Sequence, residues 1–152
     1  MVDDNSIKKY HIASMPKRLK AYLIDDTIVS LFLFAIFYNQ FIDIFATYQT
    51  TGDITPLAIF LEQNSITFIL LRVTYQTFFV WQYGMTPGKM LSHIKILEVE
   101  TLQKPSLKTA TFRALFRLLS DTIFYIGYII AYFSPISQTL HDKLAKTIVV
   151  DV

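Results

Sequence analysis

Three stretches of this chain are apolar enough to enter a lipid bilayer, and each carries ionisable side chains that hydrocarbon excludes. Asp25 and Asp26 lie in the first, Arg72 in the second, and Arg117 with Asp121 in the third. A charge at the centre of a membrane span costs about 2.5–3.5 kcal/mol on insertion scales, so a chain that places charges in every span is expected to gather them against one another or against water. That charged layer is the first candidate for a functional site.

Composition sets the class. With 152 residues, 53% of them hydrophobic, 13 Phe, 9 Tyr and a mean hydropathy of +0.40, the chain is more apolar and aromatic than a soluble core requires. One all-α polytopic membrane domain over residues 1–152 is expected, with a soluble bundle of long buried helices as the weaker alternative. The first apolar run follows a mostly polar segment, is too long for an h-region and precedes no small-residue cleavage pattern, so no signal peptide is expected. A net charge of +2, with basic residues interrupted by apolar runs, excludes nucleic acid as a partner.

The absence of Cys excludes disulfides and thiolate metal sites. His11, His93 and His141 lack metal-ligand spacing and are expected at the surface or the membrane interface, so neither a metal nor a cofactor is expected. No nucleophile and base stand at catalytic spacing, and an enzyme is not expected.

The spans are expected over about residues 21–45 and 66–83, with a third region at 113–134. Residues 46–65 hold no Lys or Arg, whereas Lys8, Lys9, Lys17, Arg18 and Lys20 precede the first span and Lys89, Lys95, Lys104, Lys108 and Arg113 follow the second. The positive-inside bias therefore places the N-terminus and the loop 84–112 in the cytoplasm and residues 46–65 outside. Phe78, Phe79, Trp81 and Tyr83 at the inner end, and Phe45 and Tyr48 at the outer end, read as interfacial anchors.

The third region is ambiguous. The run "SLKTATFRALFRLL" reads as an amphipathic helix capped by Ser106, and the apolar segment after Asp121 is about 21 Å of helix, too short to cross alone. Residues 113–134 therefore form either one charged span or a hairpin that bends near Gly127 and returns. Lys143 and Lys146 favour the return. So do "HIKILEVE" (His93–Glu100) and "TIVVDV" (Thr147–Val152), strand-like pieces that can pair into a small cytoplasmic sheet if both lie on that side.

Helical rise puts Asp25 roughly 10 Å deep, Arg72 roughly 16 Å, and Arg117 and Asp121 roughly 6–12 Å, close enough for one layer of Asp25, Asp26, Arg72, Arg117 and Asp121. Asp26 is turned roughly 100° from Asp25, so the two carboxylates face different neighbours. On a structural reading the layer only holds short helices together. On a functional reading it is an ion or proton site, in which a carboxylate changes charge beside an arginine. The run "GMTPGKM" (84–90) is not a phosphate-binding loop, because its glycines are one residue too close and no Ser or Thr follows Lys89. Gly84, Thr86, Pro87, Gly88 and Lys89 read instead as a tight structural turn, with Pro87 fixing φ and Gly88 permitting positive φ.

Four blocks in order, "RLKAYLIDD" from Arg18, "YGMTPGKMLSHIKIL" from Tyr83, "KPSLKTATFRALFR" from Lys104 and "LHDKLAKTIVV" from Leu140, resemble the RDD family of small membrane proteins. The resemblance covers nearly the whole chain. It implies that the family's arginine is Arg18 and that its two aspartates are Asp25 and Asp142, with Asp142 a candidate partner of Arg18 if the tail is cytoplasmic. Asp26 is an additional acid, and Lys146 stands where the family often has Gly.

The resemblance further implies transport of small solutes, with cation/proton exchange suggested for some relatives. The expected protein is thus a multi-pass protein of a bacterial inner membrane that moves or senses a cation or proton. Its expected partners are the lipid bilayer and either a second copy or another membrane protein, because two or three spans enclose no path unaided. The rival is a membrane scaffold or accessory subunit that docks partner helices without transport.

Overall fold

The computed structural model describes residues 10–122 and 139–152, without the side chains of 120–122. Most of the expected third span, including the bend near Gly127, and the side chain of Asp121 lie outside the described residues.

Helix α1 (Met15–Ile36) opens with Pro16 in its first turn, where a missing N–H costs nothing. Arg18, Ala21, Asp25 and Val29 form its buried stripe at helical spacing. At Phe37 the backbone leaves helical geometry (φ −105°, ψ 21°), and helix α2 (Tyr38–Thr51) departs at 83°. The straight first span expected over 21–45 is therefore broken. No Pro or Gly marks the elbow. Phe37 packs edge-on against Phe60 at 5.3 Å and Phe68 at 5.7 Å, while Phe41 meets Phe60 at 5.1 Å, so aromatic packing against the next helix holds the bend.

After Gly52 ends α2, helix α3 (Thr55–Tyr83) begins with Pro56 in its first turn. Residues 46–65, expected outside between the first two spans, are largely helical, and the expected span 66–83 is the second part of a 29-residue helix. Proline in a first turn starts a helix rather than breaking it. Helix α3 is long and apolar enough to cross a membrane, and α1 with α2 passes the same test only as one bent span. Only 6% of the apolar window of α3 is fully buried within the chain, which leaves much of its apolar surface open to lipid, unlike a soluble core helix.

Gly84 caps α3 in the left-handed region (φ 71°), and a short helix α4 (Pro87–Leu91) follows behind Thr86 as N-cap. The turn expected here is corrected, because the positive φ belongs to Gly84 and Gly88 is helical. Gly88 serves close approach instead. A Cβ there would stand 2.2 Å from the carbonyl oxygen of Ala21.

Strand β1 (Ile94–Glu98) pairs antiparallel with strand β2 (Thr147–Asp151), Ile96 opposite Val149 and Glu98 opposite Thr147, while Ile12 bridges Val150. The two β-branched runs thus meet, and the segment before α1 joins them. Ala13 N–H donates to Val149 at 3.0 Å and Asp151 N–H to His11 at 2.8 Å. One face of the sheet packs Ile94, Ile96 and Val149 with Ala21, Val80 and Ala110 from the helices. The other sets Leu97, Ile148 and Val150 beneath Val99 and Leu102.

Helix α5 (Leu107–Thr122) starts at Ser106, whose Oγ accepts from Thr109 N–H at 3.2 Å, and packs along α3. Helix α6 (Leu140–Leu144) packs on α5 and is held by a capping box between Thr139 and Asp142. Lys146 then turns the chain into β2 with φ of 50°, a conformation a glycine adopts without strain.

Candidate functional site

Asp25 sits on the buried stripe of α1 and is 2% exposed. Its Oδ1 accepts from Tyr75 Oη at 2.9 Å and Gly88 N–H at 2.8 Å, and its Oδ2 accepts from Thr86 Oγ1 at 2.6 Å. One carboxylate thereby ties α1 to α3 and to the start of α4. Lys89 Nζ stands 3.9 Å from Oδ2, attractive but beyond hydrogen-bond reach. Both Asp25 oxygens are thus taken by donors from α3, Thr86 and α4.

Asp26, one residue on, faces elsewhere. Its Oδ1 accepts from Arg72 at 2.5 Å, and both side chains remain more than one-third exposed. Arg117 on α5 lays its guanidinium over the Tyr22 ring, 5.1 Å from the centroid. Asp25, Asp26, Arg72, Tyr75 and Arg117 line a cleft of ≈ 380 Å³ counting its open side. Within it, ≈ 30 Å³ admits water-sized molecules, room for about two waters. Four members of the expected layer therefore share one polar cleft, and the side chain of Asp121 lies outside the described residues.

A second centre forms around Asp142, 1% exposed at the start of α6. Oδ2 accepts from Arg18 at 3.2 Å and from Thr139 N–H at 3.2 Å, while Oδ1 meets Arg113 at 2.5 Å. Arg18 also donates from Nε to Ala13 at 3.1 Å and from its terminal nitrogen to Val149 at 3.3 Å, joining the N-terminal segment and β2 to the same carboxylate. Burial pushes the Asp142 carboxyl up, but Arg113, then His141 and Arg18, outweigh it and hold it well below its ordinary value.

Lys89, Arg113 and His141 were not among the residues picked out as charged partners in the sequence. Burial, with Arg117 adding to it, pushes the Lys89 ammonium down to about 7. His141, expected at a surface or the membrane interface, is 3% exposed, and burial pushes its imidazole well below the usual value despite Asp142. Arg18, Lys89, Arg113, Arg117, His141 and Asp142 line an inner cavity, ≈ 300 Å³ counting its open side with ≈ 20 Å³ admitting water-sized molecules, which shares Tyr22 and Arg117 with the outer cleft. The Thr139-to-Asp142 spacing was a legible capping signal. Nothing local marks Lys89, whose burial depends on α4 docking against α1.

The pairing of Arg18 with Asp142 and the cradle around Asp25 bring the name-giving arginine and aspartates into adjoining centres, and the RDD family model matches residues 12–146. The chain belongs to the RDD family. It is similar to the uncharacterized protein RP437 of Rickettsia prowazekii, 32% identical over 106 residues that make up 70% of this chain and 59% of that one. It is also similar to the uncharacterized membrane protein YteJ of Bacillus subtilis, 33% identical over 86 residues, 57% of this chain and 52% of the relative. The chain thus spans a little over half the length of these curated relatives. No solved structure matches. The RDD protein described here is a membrane protein, mostly helical, with a two-stranded sheet against one end of its helices.

Proposed function

We propose that this RDD protein is a polytopic protein of a bacterial inner membrane that moves a cation or proton through the cleft between α1, α3 and α5. The observation that carries this reading is the cleft itself, with Asp26 and Arg72 half-exposed beside Arg117 and with room for water. Asp26 is the carboxylate that exchanges partners. Asp25 fixes the wall in which Asp26 sits. Water-accessible opposite charges at membrane depth mark ion and proton pathways in general.

The positive-inside distribution supports a cytoplasmic N-terminus and loop 84–112. The hydrogen bonds of Ala13 and His11 with β2 support a C-terminal strand on that same side. One copy offers too few spans to enclose a pathway, so the transporter is an oligomer. A strictly monomeric state in gentle detergent counts against it.

The test is flux in proteoliposomes under an imposed pH gradient. Asp26→Asn is expected to reduce cation-dependent proton movement at least tenfold while leaving elution volume and thermal unfolding unchanged, and Asp26→Glu retains part of it. Equal flux from the wild type and Asp26→Asn overturns the reading. The mutual saturation of Asp25 and its donors favours one second reading, an accessory subunit whose charges only build the fold. Absence of flux from the wild type, together with a membrane protein that co-purifies with it, assigns that role.

A further inference from the structure

The inner cavity differs from the outer cleft in the sign of its walls. Among the described residues, Arg18, Lys89, Arg113 and Arg117 line it, and Asp142 is its carboxylate. Asp142 is shared between two guanidiniums, and Asp25, the nearest carboxylate to Lys89, has both oxygens committed to Tyr75, Gly88 and Thr86. The Lys89 side chain is 9% exposed, Lys89 is among the residues lining the cavity, and its approach to Asp25 at 3.9 Å is not a hydrogen bond. An ammonium has three donors and no acceptor of its own. Such a group is stabilised in a buried site by an acceptor brought in from outside.

We propose that this cavity binds a phosphate-type oxyanion, with Lys89 as its principal ligand and the guanidiniums of Arg18, Arg113 and Arg117 around it. Planar guanidiniums and a point-charge ammonium are the side chains that recognise tetrahedral oxyanions. The cavity measures ≈ 300 Å³ counting its open side, of which ≈ 20 Å³ admits water-sized molecules. The cavity is lined from α1, α4, α5, α6 and β2, the strand contributing Val149; the oxyanion it takes is either a lipid headgroup phosphate or a free phosphate. The site stands independently of whether the outer cleft conducts.

Thermal unfolding of the purified full chain tests the site. Inorganic phosphate is compared with chloride at equal ionic strength in detergent, and nanodiscs of phosphatidylglycerol with nanodiscs of phosphatidylcholine. A saturable rise of roughly 5 °C or more is expected at phosphate about 100-fold above its Kd. A response to inorganic phosphate identifies a free anion, and a response confined to phosphatidylglycerol identifies a lipid headgroup. Lys89→Met is expected to lose the response while unfolding no lower than the wild type without ligand, and Lys89→Arg keeps it. An unresponsive wild type, or a Lys89→Met chain that responds equally, overturns the proposal. Native mass spectrometry of the wild type gives an independent readout should Lys89→Met fail to fold. One bound phosphate or anionic lipid per chain is expected, and none overturns the site.

Discussion

Gly88 and Ala21 touch backbone to backbone, since a Cβ on Gly88 would stand 2.2 Å from the Ala21 carbonyl oxygen and 2.8 Å from the Asp25 carboxylate. The Gly88 N–H donates to Asp25 from this position, so the contact that brings α4 onto α1 also completes the acidic cradle. Gly88→Ala is expected to cost about 3 kcal/mol, the upper end for overpacking, because the obstructing atom is backbone and cannot rotate away. Gly52→Ala, with φ of 69° but open space around it, is expected to cost less, about 1–2 kcal/mol. Thermal unfolding of both variants in detergent checks the order, and a Gly52 variant weaker than the Gly88 variant contradicts it.

Thr86 caps α4 and donates to Asp25 at 2.6 Å, two roles carried by one hydroxyl. Thr86→Val keeps the shape and is expected to lose about 1–3 kcal/mol, whereas Thr86→Ser keeps both bonds and most of the stability. Hydrogen exchange reports where the loss falls. Faster exchange is expected at the Gly88 and Lys89 amides first, ahead of any change in β1.

Asp142 is the acceptor for Arg18 and Arg113, and both arginines are buried. Asp142→Asn is expected to cost about 3–5 kcal/mol because it strands buried charge rather than merely removing a pair. The pH dependence has a definite sign. A carboxyl held below its ordinary 3.8 contributes fully above that value, and its contribution falls away only as the pH drops through the lower folded value. Wild type and Asp142→Asn are therefore expected to differ by a constant margin down to about pH 4 and to converge below it.

Lys89 has the opposite dependence. Its folded value of about 7 lies below the ordinary 10.5, so between the two the unfolded chain holds the extra proton and stability rises with pH. The groups facing it are Arg18 and Asp25 from α1, Arg113 and Arg117 from α5, and His141 with Asp142 from α6. Lys89→Met is expected to be more stable than the wild type by a margin that is largest below about pH 7 and shrinks toward pH ~10. Unfolding midpoints measured across that range without phosphate check it, and a margin that grows with pH contradicts it.

Much of this molecule was legible along the chain. The charged apolar runs identified the class, the pattern of "HIKILEVE" and "TIVVDV" foretold the strand pairing, and the spacing of Asp25 and Asp26 implied two carboxylates with different neighbours. These features depend on period and composition, which are local. The 83° elbow at Phe37 was not legible, because no helix breaker stands there and the rings of Phe60 and Phe68 on another helix hold it. The long α3 was hidden in part by Pro56, which reads as a loop signal until its first-turn position is known.

The sequence by itself determined which residues must avoid lipid and therefore that they would be drawn inward. Only the tertiary structure decided how they divide, with Asp25 in a cradle of donors, Asp26 with Arg72 in an open cleft, and Asp142 between Arg18 and Arg113. The physical reason is that desolvation cost belongs to each side chain alone, whereas its compensation is a matter of distance, and Arg18 and Asp142, 124 positions apart in sequence, close to 3.2 Å only once the sheet and helices have packed.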